Sequence, residues 1–221
     1  MKIIILADKY QKGTKSQGCS GLLRFNDSTN ILQHQYNILA NNFKDAEIIY
    51  VYGFDAKKLN TFIENSHFPR MTFVYNNGYD NYNECFSLGV IKQNIDSDTL
   101  ILSGYTIFNQ SFFKNFNRNY SQIFIDPNNG TKLGCIINDN KIENIFYDLD
   151  NKIHSMFYIS SSDVDTFKRF ITIKNHNAFL FEIINKCISK GCKFIPTTVS
   201  IKSIKYYKHD NKMKLYDKYQ S

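Results

Sequence analysis

At 221 residues the chain is long enough to bury a real core and short for two domains, so one domain is expected. A hydrophobic content of 43%, a charged content of 21%, ten glycines and three prolines exclude disordered and fibrous classes. The net charge of +7 admits anionic partners in general, nucleotides and phosphates among them.

Much of that positive excess falls in 190–218, where a solvated helix face is favoured over a nucleic-acid footprint. No apolar run approaches the ~18–20 residues that cross a bilayer, so no membrane span is expected. The opening run 1–7 is too short for the apolar core of a signal peptide and reads as a buried first strand. The five cysteines are scattered with no CxxC pair, which fits reduced thiols and gives no zinc-ligand spacing. These features point to the cytoplasm of a bacterium or of a virus-infected host cell.

Strand-like apolar runs alternate with helical patterns, the mark of a mostly parallel sheet. Residues 2–7 predict the first strand, followed by a polar loop over 8–21. A helix is expected over 29–42, with Ile31, Tyr36, Ile38 and Leu39 on one face and Ser28 or Thr29 as cap. Strands follow at 47–52 and 71–75, with a short helix over 55–65 between them. A helix over about 85–93 then leads to a strand at 99–103, apolar on both faces as a central parallel strand requires. The second half looks more antiparallel, with strands at 122–125, 133–138, 141–148 and 154–159 and a hairpin signal at Asn138-Asp139-Asn140. Asp163 is expected to cap a helix reaching 173, and a helix over 178–190 stops at Gly191. A strand over 194–204 and a basic helix over about 211–219 complete the chain.

Several ordered landmarks carry a resemblance. Ile5-Leu6-Ala7, then Gly13-Thr14-Lys15, then Gly21-Leu22-Leu23-Arg24-Phe25-Asn26 before a helix resemble the opening of sugar-nucleotide and choline-phosphate nucleotidyltransferases. The run from Asn76 through Asn83, closing on Ser87-Leu88, is similar to the N-x-x-Y-x-x-x-N-x-x-x-S-L element of their phosphocholine branch. The resemblance implies a Rossmann-like three-layer α/β sandwich of the nucleotide-diphospho-sugar transferase (GT-A) type, with a mostly parallel mixed sheet flanked by helices. It further implies one domain over 1–221, with a nucleotide-binding half over 1–115 and an acceptor-side half over 116–221. The implied nucleotide-binding positions are Leu6 and Ala7, then Lys12, Gly13, Thr14 and Lys15 of the loop, and finally Asn83 and Ser87.

Nucleotidyl transfer depends on positioning and on cations that offset charge developing on phosphate oxygens. The family uses a glycine-rich loop, a fixed lysine and two aspartates holding Mg²⁺, an ion that requires hard oxygen ligands. In this chain Asp8 and Lys9 replace the expected Ala-Gly, and Ser20 falls where the lysine belongs. Tyr105 falls where the first metal aspartate belongs, and Lys205 lies in the region of the second. A phenol is neutral below about pH 10 and binds Mg²⁺ poorly. No metal ligands and no cofactor are therefore expected, with Mg²⁺ needed only if the site is active.

The histidines, His154 among them, show no carboxylate or cysteine at a defined spacing and read as surface or satisfied side chains. Asp163-Val164-Asp165 reads as helix capping, and 126–130 as a turn. Tyr79, Tyr82 and Phe86 are candidate walls of a ligand pocket or core residues. Three functions stay open. The first is a degenerate nucleotidyltransferase-like protein that binds a nucleotide or sugar-phosphate, or partners an enzyme of surface-polysaccharide synthesis. The second is an active nucleotidyltransferase or glycosyltransferase with relocated or absent metal ligands. The third, a basic nucleic-acid-binding or virion-associated module, is the least favoured.

Overall fold

A computed structural model describes residues 1–10, 15–126, 131–200 and 202–207. Its strands are β1 (Lys2–Ala7), β2 (Glu47–Tyr52), β3 (Met71–Tyr75), β4 (Thr99–Ser103), β5 (Thr106–Phe108) and β6 (Ser121–Ile125). Those that follow are β7 (Leu133–Asn138), β8 (Lys141–Tyr147), β9 (Asn151–Ile159), β10 (Phe194–Thr198) and β11 (Ile204–Tyr206). The helices are α1 (Ile31–Asn42), α2 (Ala56–Glu64), α3 (Glu84–Val90), α4 (Ser161–Phe170) and α5 (Leu180–Ser189).

The main sheet has the order β10-β6-β9-β4-β1-β2-β3, with the β7–β8 hairpin joined to it through β9. Strand β1 pairs in parallel with both β2 and β4, and β2 pairs in parallel with β3. Strand β9 runs antiparallel to β4 and β6, which makes the sheet mixed. The architecture is therefore the expected α/β sandwich. Side chains alternate along each strand, so Ile4, Ile49, Ile101 and Phe157 face α3, α4 and α5. Ile3, Ile5, Tyr50, Leu102 and Tyr158 face α1 and α2 on the other side.

Local chemistry accounts for several departures from the expected boundaries. Ser28 and Thr29 do not cap α1, because the Asn26 carboxamide oxygen takes their N–H groups at 3.0 and 2.8 Å in a turn. Asn30 caps instead, in a reciprocal box with Gln33. Ser160 rather than Asp163 occupies the N-cap position of α4. The Asp163 carboxylate accepts from the hydroxyls of Ser121 (2.6 Å) and Ser160 (3.3 Å) and ties the helix start to β6.

The single strand expected over 194–204 is two strands. β10 follows β6 at the sheet edge, a position that tolerates Pro196, whereas β11 pairs with β5 in a separate ribbon. The hairpin signal holds: Asp139 and Asn140 both have positive φ, 47° and 57°, as a twisted two-residue turn demands. The basic helix expected over 211–219 lies outside the described residues.

Where β4 ends, Gly104 donates its N–H to the carbonyl of Leu6 at 2.8 Å, which brings the two chains into close approach. A Cβ at that position would lie 2.4 Å from the Cβ of Ala7 and 2.9 Å from its backbone Cα. Gly104→Ala is therefore expected to cost about 1–3 kcal/mol through overpacking. The measurement is the urea midpoint of the variant, and an unchanged midpoint would mean that β1 and β4 can part at this level.

Candidate functional site

Strands β2 and β3 lie on one side of β1, and β4 lies on the other, so the strand order reverses between β1 and β4, and crevices form outside the carboxyl ends of strands at such points in open α/β sheets. A cavity of about 350 Å³ opens there. One wall is Leu6, Asp8, Lys9 and Tyr10, and a second is Ser103 and Tyr105 with Glu84 and Ser87 of α3. The opposite wall is His154 and Ser155 of β9, with Phe179, Leu180 and Phe181 leading into α5 and Tyr147 nearby.

Asp8 organises the first wall. Its side chain is buried, and Oδ2 accepts from Asn76 Nδ2 and from Ser87 Oγ, each at 2.7 Å. The carboxylate that replaces the expected alanine is thus committed to protein donors. Glu84 lies beside it; burial raises its pKa above the usual carboxylate range, and the Leu180 N–H reaches Oε2 at 3.3 Å. Lys9 Nζ donates to Asn83 Oδ1 at 3.1 Å, while Asn83 Nδ2 donates to the carbonyl of Asn177 at 2.7 Å. Asn83 thus links the β1 loop to the segment before α5.

The implied nucleotide-binding residues divide between several places. Leu6 and Ser87 line the cavity, Ala7 is buried against Gly104, and Asn83 sits at the N-cap position of α3. Lys15 is exposed, with its ammonium 5.1 Å from the centre of the Tyr10 ring. Lys12, Gly13 and Thr14 lie outside the described residues, as do 127–130 of the expected turn.

The three positions where the family's catalytic residues would fall are Ser20, Tyr105 and Lys205. Ser20 is fully buried, and Gly104 packs directly over its Oγ. Tyr105 is 4% exposed and packs with Leu23, Ile31, Ile107 and Tyr207; its hydroxyl points to the carbonyl of Lys9 at 3.4 Å. Lys205 lies on β11 opposite Ile107. A neutral phenol and an ammonium do not fit Mg²⁺, which takes anionic or carbonyl oxygen. Among the described residues no three His, Cys, Asp or Glu side chains gather as a metal site.

His154, read from sequence as a surface or satisfied side chain, is neither. It is completely buried, Nδ1 is 3.0 Å from the hydroxyl of Tyr206, and Nε2 has no hydrogen-bond partner among the described residues. No local pattern flags it, because its placement follows from how β9 pairs with β6. Tyr79, Tyr82 and Phe86 lie away from this cavity; Tyr82 and Phe86 pack on the His176 ring.

This arrangement is a mixed α/β sandwich whose fold superposes on nucleotidyltransferases of known structure. The fold superposes on a CTP:phosphocholine cytidylyltransferase from Streptococcus pneumoniae with a TM-score of 0.76 at 17% identity, covering 97% of this chain and 96% of that one. An inositol-1-phosphate CTP transferase from T. maritima matches with a TM-score of 0.69 at 15% identity over 89% and 84% of the two chains. A UDP-glucose pyrophosphorylase matches with a TM-score of 0.68 at 9% identity over 97% and 96%. No protein-family model matches the sequence, and no curated protein matches it.

Burial pushes the pKa of His154 down to about 4, against a partly opposing pull from Asp126. The unfolded chain, with a histidine pKa near 6.5, takes up this proton first as pH falls. The stabilisation is thus complete above about pH 6.5 and is lost as pH drops toward 4. Between pH 7 and pH 5 the wild type is expected to lose roughly 2 kcal/mol through this group alone. Urea denaturation should show a correspondingly smaller loss for His154→Leu, and an equal loss would assign the effect elsewhere.

Proposed function

We propose that this chain is a nucleotidyltransferase-like protein whose cavity holds a nucleotide or a sugar-phosphate without catalysing magnesium-dependent nucleotidyl transfer. Tyr105 is the observation that carries this reading. At the end of β4, where a metal-binding aspartate is required, the side chain is a buried phenol packed in a small cluster with Ile107 and Tyr207. Turning it outward would break that packing and still supply no anionic oxygen. Lys205, in the region of the second position, likewise supplies no anionic oxygen.

The ligand class is taken from the superposed proteins, which act on CTP with phosphocholine, on inositol 1-phosphate or on UDP-glucose. Five free cysteines suit a reducing compartment, so work in the cytoplasm beside an intact enzyme of surface-polysaccharide synthesis is the role we assign. One observation favours an active enzyme instead: Asp8 and Glu84 bring two carboxylates to the same cavity. Against it, Asp8 already serves two protein donors, and burial favours the protonated form of Glu84.

Calorimetric titration with CTP and UTP, with and without Mg²⁺, separates the two. The expected result is binding that magnesium does not strengthen, with no pyrophosphate released in the presence of a phosphorylated acceptor. Magnesium-dependent pyrophosphate release would overturn the proposal and assign the metal to Asp8 and Glu84.

A further inference from the structure

The β9 wall of the cavity carries a donor that the protein itself leaves unused. Ile123 of β6 pairs with Phe157, and Ile125 pairs with Ile153, so the intervening stretch of β9 is longer than its partner by two residues. Such a bulge re-aims side chains out of the ladder. It frees the N–H of Ser155, which donates to the hydroxyl oxygen of Tyr206 at 2.7 Å. The same oxygen lies 3.0 Å from His154 Nδ1. With one lone pair taken by the Ser155 N–H, the Tyr206 hydroxyl has His154 Nδ1 as an acceptor at 3.0 Å, and its hydrogen is assigned to that nitrogen. The neutral imidazole then carries its own hydrogen on Nε2. That nitrogen is buried, has no partner among the described residues, and belongs to a residue that lines the cavity. A buried donor left without an acceptor is destabilising, and a ligand oxygen would relieve it.

We propose that His154 is a specificity-determining residue whose Nε2–H donates to an oxygen of an uncharged, polyhydroxylated group on the ligand, with Tyr206 as its positioning residue. This rests on the ligand-site reading of the cavity given above and narrows it. A phosphate in this part of the cavity would face the Asp8 and Glu84 carboxyl groups, which favour hydrogen-bond donors. A quaternary ammonium would suit those carboxyl groups and the rings of Phe179 and Phe181, which stack at 6.0 Å. It offers no lone pair to Nε2–H, however. A polyol ring meets all the demands at once, with hydroxyl hydrogens for the carboxyl groups, an oxygen for His154 and a C–H face for the aromatic rings.

Full-length protein labelled with ¹⁵N at histidine provides the test. Long-range ¹H–¹⁵N correlation should show His154 as the neutral Nε2–H form, assigned by its loss in His154→Leu. Myo-inositol 1-phosphate and phosphocholine share a phosphate and differ in the group attached to it, and inorganic phosphate serves as the third probe. The inositol compound is expected to shift the Nε2 signal and to bind at least about tenfold tighter than phosphocholine, the worth of one buried hydrogen bond. His154→Leu should bring the two to similar affinity, and His154→Gln, which keeps an N–H donor, should recover part of the difference. Tyr206→Phe, still folded by circular dichroism, should give mixed tautomers and intermediate affinity.

Equal binding of the two phosphorylated compounds, an Nε2 signal that does not move, or a hydrogen found on Nδ1 would each overturn the proposal. If CTP binds and neither phosphorylated compound does, this proposal falls while the nucleotide-site reading stands. If nothing binds, both fall.

Discussion

Asp8 ends the first strand, and a carboxylate buried there is tolerable only when protein donors surround it. Asn76 and Ser87 supply those donors, and the Asp8 carbonyl accepts the N–H of Phe54 at 2.8 Å. Four stretches of chain, at the ends of β1, β2 and β3 and in α3, are thereby held at fixed separation. Hydrogen bonds to a charged group are worth about 1.5–3 kcal/mol each, so this junction is among the firmer points of the molecule. It sets how close α3 lies to the strand ends, and therefore how deep the cavity is.

The opposite side of the cavity is built on other terms. Phe179 and Phe181 stack before and within α5, and Tyr147 meets Phe181 edge-on at 5.6 Å. The site therefore sets hydrogen-bond acceptors against aromatic rings, with one neutral imidazole between them. Lys9 is the cation among the described cavity residues, and its ammonium already binds Asn83. Such a lining suits organic groups with hydroxyl or C–H faces better than bare phosphate.

The small β5–β11 ribbon links Tyr105 and Lys205 to that imidazole. It carries Lys205 and Tyr206, and Tyr105 precedes it. Helix α1 secures the ribbon: Gln35 Nε2 donates to the carbonyls of Ser103 and Thr106, and His34 Nε2 lies 2.7 Å from the carbonyl of Phe108. The segment presents a packed phenol and holds Tyr206 against His154.

Apolar periodicity determined most of the scaffold without help. The double-faced apolar runs of β1, β2 and β4 and the Asp139-Asn140 turn are local signals, and each appears where the sequence puts it. Helix caps were harder to read, because Ser28, Thr29 and Asn30 are all competent and only the Asn26 turn decides among them. The functional details came from tertiary structure alone. Asp8 looks like an obstacle to phosphate until Asn76 and Ser87, distant in sequence, close around it. His154 is one histidine among five until an offset in strand pairing buries it against Tyr206. Residue type and spacing encode periodicity along one element, whereas register and burial arise from pairing between elements and leave no mark on either one.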